Sequence, residues 1–142
     1  MPWEKSFDVA QILDMAMRAF WARGYEATSM QDLVDCTGIN RGSLYATYGD
    51  KQALFLAALD RYIRWMRDDL MADIAARHGP REAIRQSFLV FAAGQRRQVA
   101  QLGCFVTNTA LEVAPHDKEV AEVVSRVNQH RRLTPGQSAA SA

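Results

Sequence analysis

Apolar residues recur every three or four positions along most of the chain, which is the spacing of the buried face of an α-helix. No segment shows the period-two alternation of a half-buried strand. The pattern therefore predicts an all-α protein of seven helices. They run from Ser6 to Gly24, from Thr28 to Cys36, from Arg41 to Tyr45, from Lys51 to His78, around Ile84 to Gln95, from Cys104 to Ala114, and from Asp117 through Val127.

Small polar residues mark the starts of several of these helices. Ser6, Asn40 and Asp50 stand where an N-cap side chain accepts a hydrogen bond from a free backbone N–H. Thr28 is followed three residues later by Gln31, which is the spacing of a capping box. We therefore expect Thr28 to cap the second helix and Asn40 to cap the third.

The segment from Thr37 to Lys51 interrupts the helical pattern with three glycines and two tyrosines. A short turn containing Gly38 joins the second and third helices, which is the helix-turn-helix arrangement. In that motif the second helix enters the major groove of DNA. The candidate DNA contacts in this segment are Arg41, Gly42, Ser43, Tyr45, Tyr48 and Lys51.

Each candidate has a chemical reason and a structural alternative. Arg41 offers a fork of donors for guanine, and its place at the start of the third helix favours this contact over the alternative of a solvated surface charge. Gly42 lets the backbone approach the duplex, and Lys51 stands where its charge and a helix N-terminus both face a phosphate. Tyr48 either contacts a phosphate through its hydroxyl or packs in the small core between the first and fourth helices.

The charge of this half is unusual for a DNA-binding unit. Its five cations are Lys5, Arg18, Arg23, Arg41 and Lys51, and its seven anions are Glu4, Asp8, Asp14, Glu26, Asp32, Asp35 and Asp50, so that the net charge through residue 51 is −2. Sequence-independent attraction to phosphates is therefore expected to be weak. Affinity has to come from a few placed contacts that a dimer doubles.

The segment from Ile12 to Leu59 closely resembles the N-terminal domain of the TetR/AcrR-type transcriptional regulators. The resemblance rests on Ile12, Leu13, Ala16, Phe20, Gly24, Tyr25, Thr28, Ser29, Met30, Leu33, Gly38, Ile39, Gly42, Ser43, Leu44, Tyr45, Tyr48, Lys51 and Leu54. It implies an all-helical homodimeric repressor whose third helix reads a palindromic operator, and whose C-terminal domain binds a small effector that loosens DNA binding. It also implies DNA contacts at Thr28, Arg41, Ser43, Tyr45, Tyr48 and Lys51.

Aromatic and methionine side chains gather on the next three helices. They either fill a helical core or, as the resemblance implies, line the effector pocket. The candidate pocket residues are Tyr62, Trp65, Met66, Phe88, Phe91, Cys104 and Phe105.

Cys104 stands at the predicted N-terminus of the sixth helix, within a segment Gly103–Glu112 that resembles one subgroup of the family. A helix N-terminus favours the thiolate and raises its reactivity, so a sensor of electrophiles or oxidants is one hypothesis. The alternative is a buried small hydrophobic side chain, which a free cysteine commonly is.

The predicted helices stop earlier than the resemblance leads us to expect. Relatives continue for two further long helices that form a dimer interface, whereas here Arg131 and Arg132 lead into a tail predicted to be disordered, residues 131–142. A shortened or frameshifted gene product, a dimer formed through other helices and a working monomer are three explanations. We expect self-association through uncovered valines of the last two helices, which are Val113, Val120, Val124 and Val127.

The remaining composition excludes several classes of protein. The chain has 142 residues, a net charge of +1 and two cysteines, and it lacks a secretory signal and an apolar run long enough to span a membrane. We predict a cytoplasmic protein with a DNA-binding domain at 1–50 and a helical effector and dimerisation region at 51–130. We expect no enzymatic activity, metal or cofactor, because no catalytic or metal-binding spacing is present. The alternative function is that of a DNA-incompetent helical ligand-binding or interaction protein.

Overall fold

The computed structural model describes residues 8–93 and 102–133; within these ranges, only the backbone is described at 91–93 and 130–133. All the secondary structure of the described residues is helical, with no strand. The prediction of an all-α fold is confirmed. The elements are α1 (Val9–Arg23), α2 (Met30–Thr37), α3 (Arg41–Tyr48), α4 (Lys51–Arg64), a π-helical segment (Trp65–Met71), α5 (Ala72–Arg77), α6 (Pro80–Ala93), α7 (Phe105–Glu112) and α8 (Lys118–Leu133).

Two of the predicted helix starts are wrong, and both errors are small shifts along the chain. The first helix is capped by Asp8, whose carboxylate accepts from Ala10 N–H at 2.9 Å, whereas Ser6 lies outside the described residues. The second helix is capped by Ser29 with Asp32 rather than by Thr28 with Gln31. Ser29 has the same spacing to a carboxylate as Thr28 has to an amide, and Asp32 satisfies the backbone more strongly because it is charged.

The predicted fourth helix is continuous to Arg77, but it contains a π-helical segment that the pattern did not reveal. Its inward side chains Tyr62, Met66 and Ile74 are spaced by four or eight residues and are all buried. In an α-helix, residues four apart drift by about 40° around the axis. The wider turn of a π-helix reduces that drift, so these side chains keep facing the same neighbours.

The core lies between α1, α4 and α7, and its centre is aromatic. α1 packs against α4 and α2, and α7 packs against α4 and α8. The Phe20 and Phe55 rings meet edge to face with centroids 5.1 Å apart, and Phe105 of α7 packs 5.7 Å from Phe55 and 5.5 Å from Tyr62. α7 is therefore held against the same aromatic cluster that joins α1 to α4.

The valines predicted to be uncovered are largely buried instead. Val113, Val120 and Val124 belong to the core, and Val127 packs partly against it. The expectation that these valines are uncovered is therefore wrong, because α7 and α8 pack against each other and α7 packs against α4. Self-association itself stays a prediction. Among the described residues, α6 carries several neighbouring exposed apolar side chains, of which Ile84 and Phe88 are 63% and 74% exposed.

The ends of the described chain agree with most of the remaining boundaries. Cys104 precedes α7, and Asp117 caps α8 by accepting from Val120 N–H at 3.2 Å. The backbone is helical through Leu133, two residues beyond the predicted start of the tail, and residues 134–142 lie outside the described part. Within the described ranges, no helix combines the length and the apolar character that crossing a membrane requires.

Candidate nucleic-acid interface

The α2–turn–α3 unit is built by two helix caps and one glycine. Gly38 has a left-handed backbone with φ of 72°, and its N–H donates to Val34 O at 2.9 Å, which ends α2 within one residue. The Asn40 side-chain oxygen then accepts from Ser43 N–H at 2.8 Å and starts α3. The turn between the helices is therefore only three residues long, as the helix-turn-helix prediction required.

α3 is anchored by one side chain and exposes most of the others. Leu44 is buried, and α3 packs against α2 and α4. Arg41 and Gly42 in the first turn are exposed, Tyr45 is 42% exposed, and Ser43 is half-buried. A Cβ placed on Gly42 would meet only Asn40 Oδ1, at an ordinary contact distance of 3.4 Å. The first turn of α3 therefore offers a polar surface that the protein's own side chains do not cover.

Arg41 is held by a partner that the sequence analysis assigned to another role. One guanidinium nitrogen of Arg41 donates to Gln31 Oε1 at 3.2 Å, and Gln31 Nε2 donates to Asp35 Oδ1 at 2.9 Å. Gln31 thus connects α2 to α3. Its position three residues after Thr28 suggested a capping box, so the pattern gave no signal for this contact.

Thr28 is not on the surface at all. Its side chain is 0% exposed, and its hydroxyl donates to Gly24 O at 2.7 Å. A DNA contact by this side chain is excluded in this conformation because no atom of it reaches solvent. Thr28 instead ties the start of α2 to the end of α1.

The Tyr48 hydroxyl is also withdrawn from the surface. The ring packs against the core, and Oη is a buried oxygen without a hydrogen-bond partner among the described residues. Burial raises the pKa of the Tyr48 phenol above its ordinary value. The packing alternative therefore describes Tyr48 in this conformation, and the phosphate contact does not.

Lys51 stands at the first position of α4, where Asp50 caps the helix by accepting from Ala53 N–H at 2.7 Å. Its ammonium nitrogen lies 4.4 Å from the centre of the Tyr25 ring, which is a cation–π distance. Lys51 is half-buried and retains hydrogen-bonding capacity toward solvent. Tyr25 therefore limits the directions in which the Lys51 charge can point.

The two helix N-termini in this unit differ in charge. Asp32 lies in the first turn of α2 and completes its capping box. The pKa of Asp32 is lowered by hydrogen bonds from the Ser29 backbone N–H and the Ser29 hydroxyl and by the Arg23 guanidinium 3.2 Å away. A carboxylate there opposes the approach of a phosphate. α3 is capped by the neutral Asn40, so the positive end of its dipole remains available to an anion.

The candidate effector residues do not form a single cavity. Tyr62, Met66 and Phe105 are buried together in the core, Trp65 lies at its edge 5.8 Å from the Tyr62 ring, and Phe88 points away on α6. The side chain of Phe91 lies outside the described residues. Two concave regions are present nearby. A groove of about 580 Å³ between α1 and α4 includes Trp65, and a cavity of about 240 Å³ beside α7 includes Phe105.

Cys104 is half-buried at the start of α7 and receives several hydrogen bonds. Burial favours the neutral thiol, but the Thr107 backbone and hydroxyl, the Tyr62 hydroxyl and the Val106 N–H together lower the pKa of Cys104 below its ordinary value. The Tyr62 hydroxyl lies 3.7 Å from the sulfur. The thiolate is therefore stabilised by this site.

The contacts between α7–α8 and the first four helices were missed by the sequence analysis. Glu112 at the end of α7 accepts the backbone N–H of Tyr25, and Gln52 of α4 donates to Asp117 at 2.7 Å. Trp21 of α1 donates to Gly103 O at 3.0 Å. No local pattern signals such contacts, because the partners are 65 to 87 residues apart.

Comparison with known proteins agrees with this geometry. Residues 12–58 match the family model described as bacterial regulatory proteins, tetR family. The chain is 39% identical over 122 residues to the uncharacterized HTH-type transcriptional regulator YezE of Bacillus subtilis (strain 168), covering 86% of this chain and 63% of that protein. It is 36% identical over 121 residues to the HTH-type transcriptional repressor ComR of Escherichia coli (strain K12), covering 84% of this chain and 58% of that one.

A solved structure supports the same relationship. A cysteine mutant of the TetR family transcriptional regulator CifR, complexed with 26 bp double-strand operator DNA, superposes with a TM-score of 0.72 at 29% identity, covering 91% of this chain and 72% of that one. The chain spans about three fifths of the length of the two curated relatives. Residues 12–58 therefore belong to the tetR family of bacterial regulatory proteins, and the described chain has that family's all-helical fold.

Proposed function

We propose that this protein is a DNA-binding transcriptional regulator, and more specifically a repressor, in which α3 reads the major groove of an operator. The single observation that carries the proposal is the exposed first turn of α3, where Arg41, Gly42 and Tyr45 face solvent while Leu44 holds the helix in place. Ser43 supplies a hydroxyl beside them, and Lys51 supplies a phosphate contact from the next helix. Thr28 and Tyr48 have structural roles in this proposal.

The proposal requires two copies on one operator. The N-terminal unit carries a net charge of −2 through residue 51, so one copy alone gains little from sequence-independent attraction. A palindrome read by two α3 helices doubles the few specific contacts. The apolar side chains that α6 exposes, Ile84 and Phe88, form a surface that a second copy would cover.

A small-molecule or thiol-reactive effector would act through contacts that join α7 to the DNA-binding unit. Glu112 holds the Tyr25 backbone, and the Tyr25 ring in turn faces Lys51. A ligand that displaces α7, or a group attached to Cys104 at its first turn, would move Glu112 and so release this connection. The groove lined by Trp21 and Trp65 is the larger of the two concave regions beside α1.

The chemistry of the chain fits a binding role in the cytoplasm. Cys36 and Cys104 are both free thiols, as expected in a reducing compartment. We propose no catalytic step, since the geometry supports recognition rather than bond making.

Selection of bound duplexes from a random DNA pool, followed by mass measurement of the complex, tests the proposal. We expect a palindromic sequence bound by two copies, with an affinity that falls as salt rises. Arg41→Ala should weaken binding to the selected operator by about 1–3 kcal/mol and relax preference at one position of each half-site. Arg77→Ala, which removes an exposed arginine on α5 paired with Asp73, is the matched control and should leave binding unchanged.

Failure of this experiment is equally informative. If the folded protein enriches no sequence from the pool, the α3 surface is not a DNA reader and the alternative of a DNA-incompetent ligand-binding or interaction protein is favoured. If a sequence is enriched but bound by one copy, DNA reading stands and the two-copy requirement is wrong.

A further inference from the structure

Gln31 lies between a carboxylate on its own helix and the arginine at the start of α3. It accepts from the Arg41 guanidinium through Oε1 at 3.2 Å and donates through Nε2 to Asp35 Oδ1 at 2.9 Å. An amide has an acceptor at one end and donors at the other, whereas a carboxylate only accepts and a guanidinium only donates. Only one orientation of the Gln31 amide therefore satisfies both neighbours.

We propose that Gln31 is a positioning residue for DNA reading, which orients Arg41 and which Asp35 orients in turn. This inference rests on the proposed function of α3 and goes beyond it, because Gln31 lies on α2 and acts through Arg41 rather than by contacting DNA. Arg41 has a long flexible side chain, and ordering it on binding carries an entropy cost. A hydrogen bond that holds the guanidinium before DNA arrives removes part of that cost.

The choice of an amide as the partner of Arg41 has an electrostatic consequence. Several other arginines of the described chain pair with carboxylates, such as Arg23 with Asp32 at 3.2 Å and Arg64 with Asp60 at 2.9 Å. A carboxylate would neutralise Arg41 and compete with a phosphate or a guanine for it. Gln31 holds the guanidinium with a neutral oxygen and leaves its charge and its remaining donors available. The carboxylate of Asp35 is engaged by the amide nitrogen instead.

A test of this role compares Gln31→Met, which keeps the length of the side chain and removes both hydrogen bonds, with Gln11→Met on the exposed face of α1. Binding to the operator selected by the wild-type protein is measured in the wild-type and Arg41→Ala backgrounds. We expect Gln31→Met to weaken operator binding about two- to tenfold in the wild-type background. In the Arg41→Ala background it should have no effect, and in both backgrounds binding to random DNA and its salt dependence should stay unchanged.

A second measurement on the free protein separates this inference from the proposed function. NMR relaxation of the Arg41 side-chain nitrogen in the absence of DNA should report greater mobility in Gln31→Met than in the wild type and in Gln11→Met. Equal mobility in all three proteins would overturn the inference whether or not DNA binds. An equal loss of operator binding in the two Arg41 backgrounds would overturn it too, whereas a wild-type protein that selects no DNA but shows the mobility difference would refute only the function of α3.

Discussion

The helices α3 and α7 have the same length of eight residues and nearly opposite surroundings. α3 buries one residue, Leu44, and its other side chains are exposed or half-buried. α7 buries three, Phe105, Val106 and Thr109, and lies against the aromatic core. An α-helix needs only one apolar stripe to pack against the core. The number of buried side chains on a helix therefore indicates how much of that helix serves packing.

This difference separates the two tasks that the proposed function combines. Apart from the buried Leu44, the side chains of α3 are exposed or half-buried and are therefore available for contacts outside the protein. The side chains of α7 are committed to the core, so any ligand that disturbs α7 disturbs packing that reaches α1 and α4. The contact from Glu112 to the Tyr25 backbone joins the end of α7 to the segment between α1 and α2.

The largest expected effect lies in α7. Phe105→Ala removes a ring that is 2% exposed and that packs on Phe55 and Tyr62, so we expect it to lower the free energy of unfolding by about 3–5 kcal/mol. Leu111→Ala, on the same helix but 77% exposed, is the control and should change it by less than about 0.5 kcal/mol. Chemical denaturation of both variants measures this. Similar losses at the two positions would mean that α7 is not committed to the core.

The next effect concerns the contact between the end of α7 and the end of α1. Gly24 has φ of 86° and ψ of 177°, a region that is nearly closed to other residues, and a Cβ there would collide with the Glu112 carboxylate. Gly24→Ala is therefore expected to cost about 1–3 kcal/mol of unfolding free energy and to break the Glu112–Tyr25 hydrogen bond. Thermal unfolding together with the amide exchange rate of Tyr25 reports both. A stable variant with an unchanged Tyr25 exchange rate would contradict the described backbone.

A substitution of the opposite sign is expected in α3. Gly42→Ala places a methyl group on an exposed helical position with ordinary contacts, so it should stabilise the fold by about 0.4–1 kcal/mol. The same methyl group stands on the surface proposed to face DNA and should weaken operator binding. Chemical denaturation should show the rise in the free energy of unfolding, and a binding titration on the same sample should show the loss of operator affinity. If operator binding were unchanged or stronger, the backbone of Gly42 would not approach the duplex closely.

The smallest expected effect is a difference between the two cysteines. The Cys104 site lowers its thiol pKa through hydrogen bonds that outweigh burial, whereas burial raises the pKa of Cys36. The rate of alkylation by iodoacetamide should therefore rise at a lower pH for Cys104 than for Cys36, as peptide mass spectrometry over about pH 6 to 10 would measure. The Cys104 thiolate stabilises the fold above the ordinary thiol pKa, and this contribution is lost as the pH falls through its native pKa. Coincident or reversed midpoints would contradict the hydrogen-bonded sulfur.

Much of this architecture could be predicted from local pattern. Features that depend on residues close together in the chain can be predicted from their spacing. They include the caps at Asn40 and Asp50, the turn at Gly38, and the buried faces of α1 and α4. The failures are also physical. Thr28 and Ser29 are both good caps, and in the structure Ser29 takes the role while the buried Thr28 hydroxyl donates to Gly24 O. The sequence predicts the candidate site as a segment, but it does not distinguish a Tyr48 hydroxyl that faces a phosphate from one that is buried, as the structure has it.

Local spacing along the chain is therefore enough to predict that it forms helices, where most of them begin, and that α3 opens with a polar turn. Which sides of those helices meet depends on how the helices pack in three dimensions. The valines of α7 and α8 turned inward and the apolar residues of α6 outward, although both sets have the same helical spacing. Spacing defines a face, whereas the partner of that face depends on segments far away in the chain. Gln31 illustrates the same limit, because its two hydrogen bonds exist only once α2 and α3 are placed side by side.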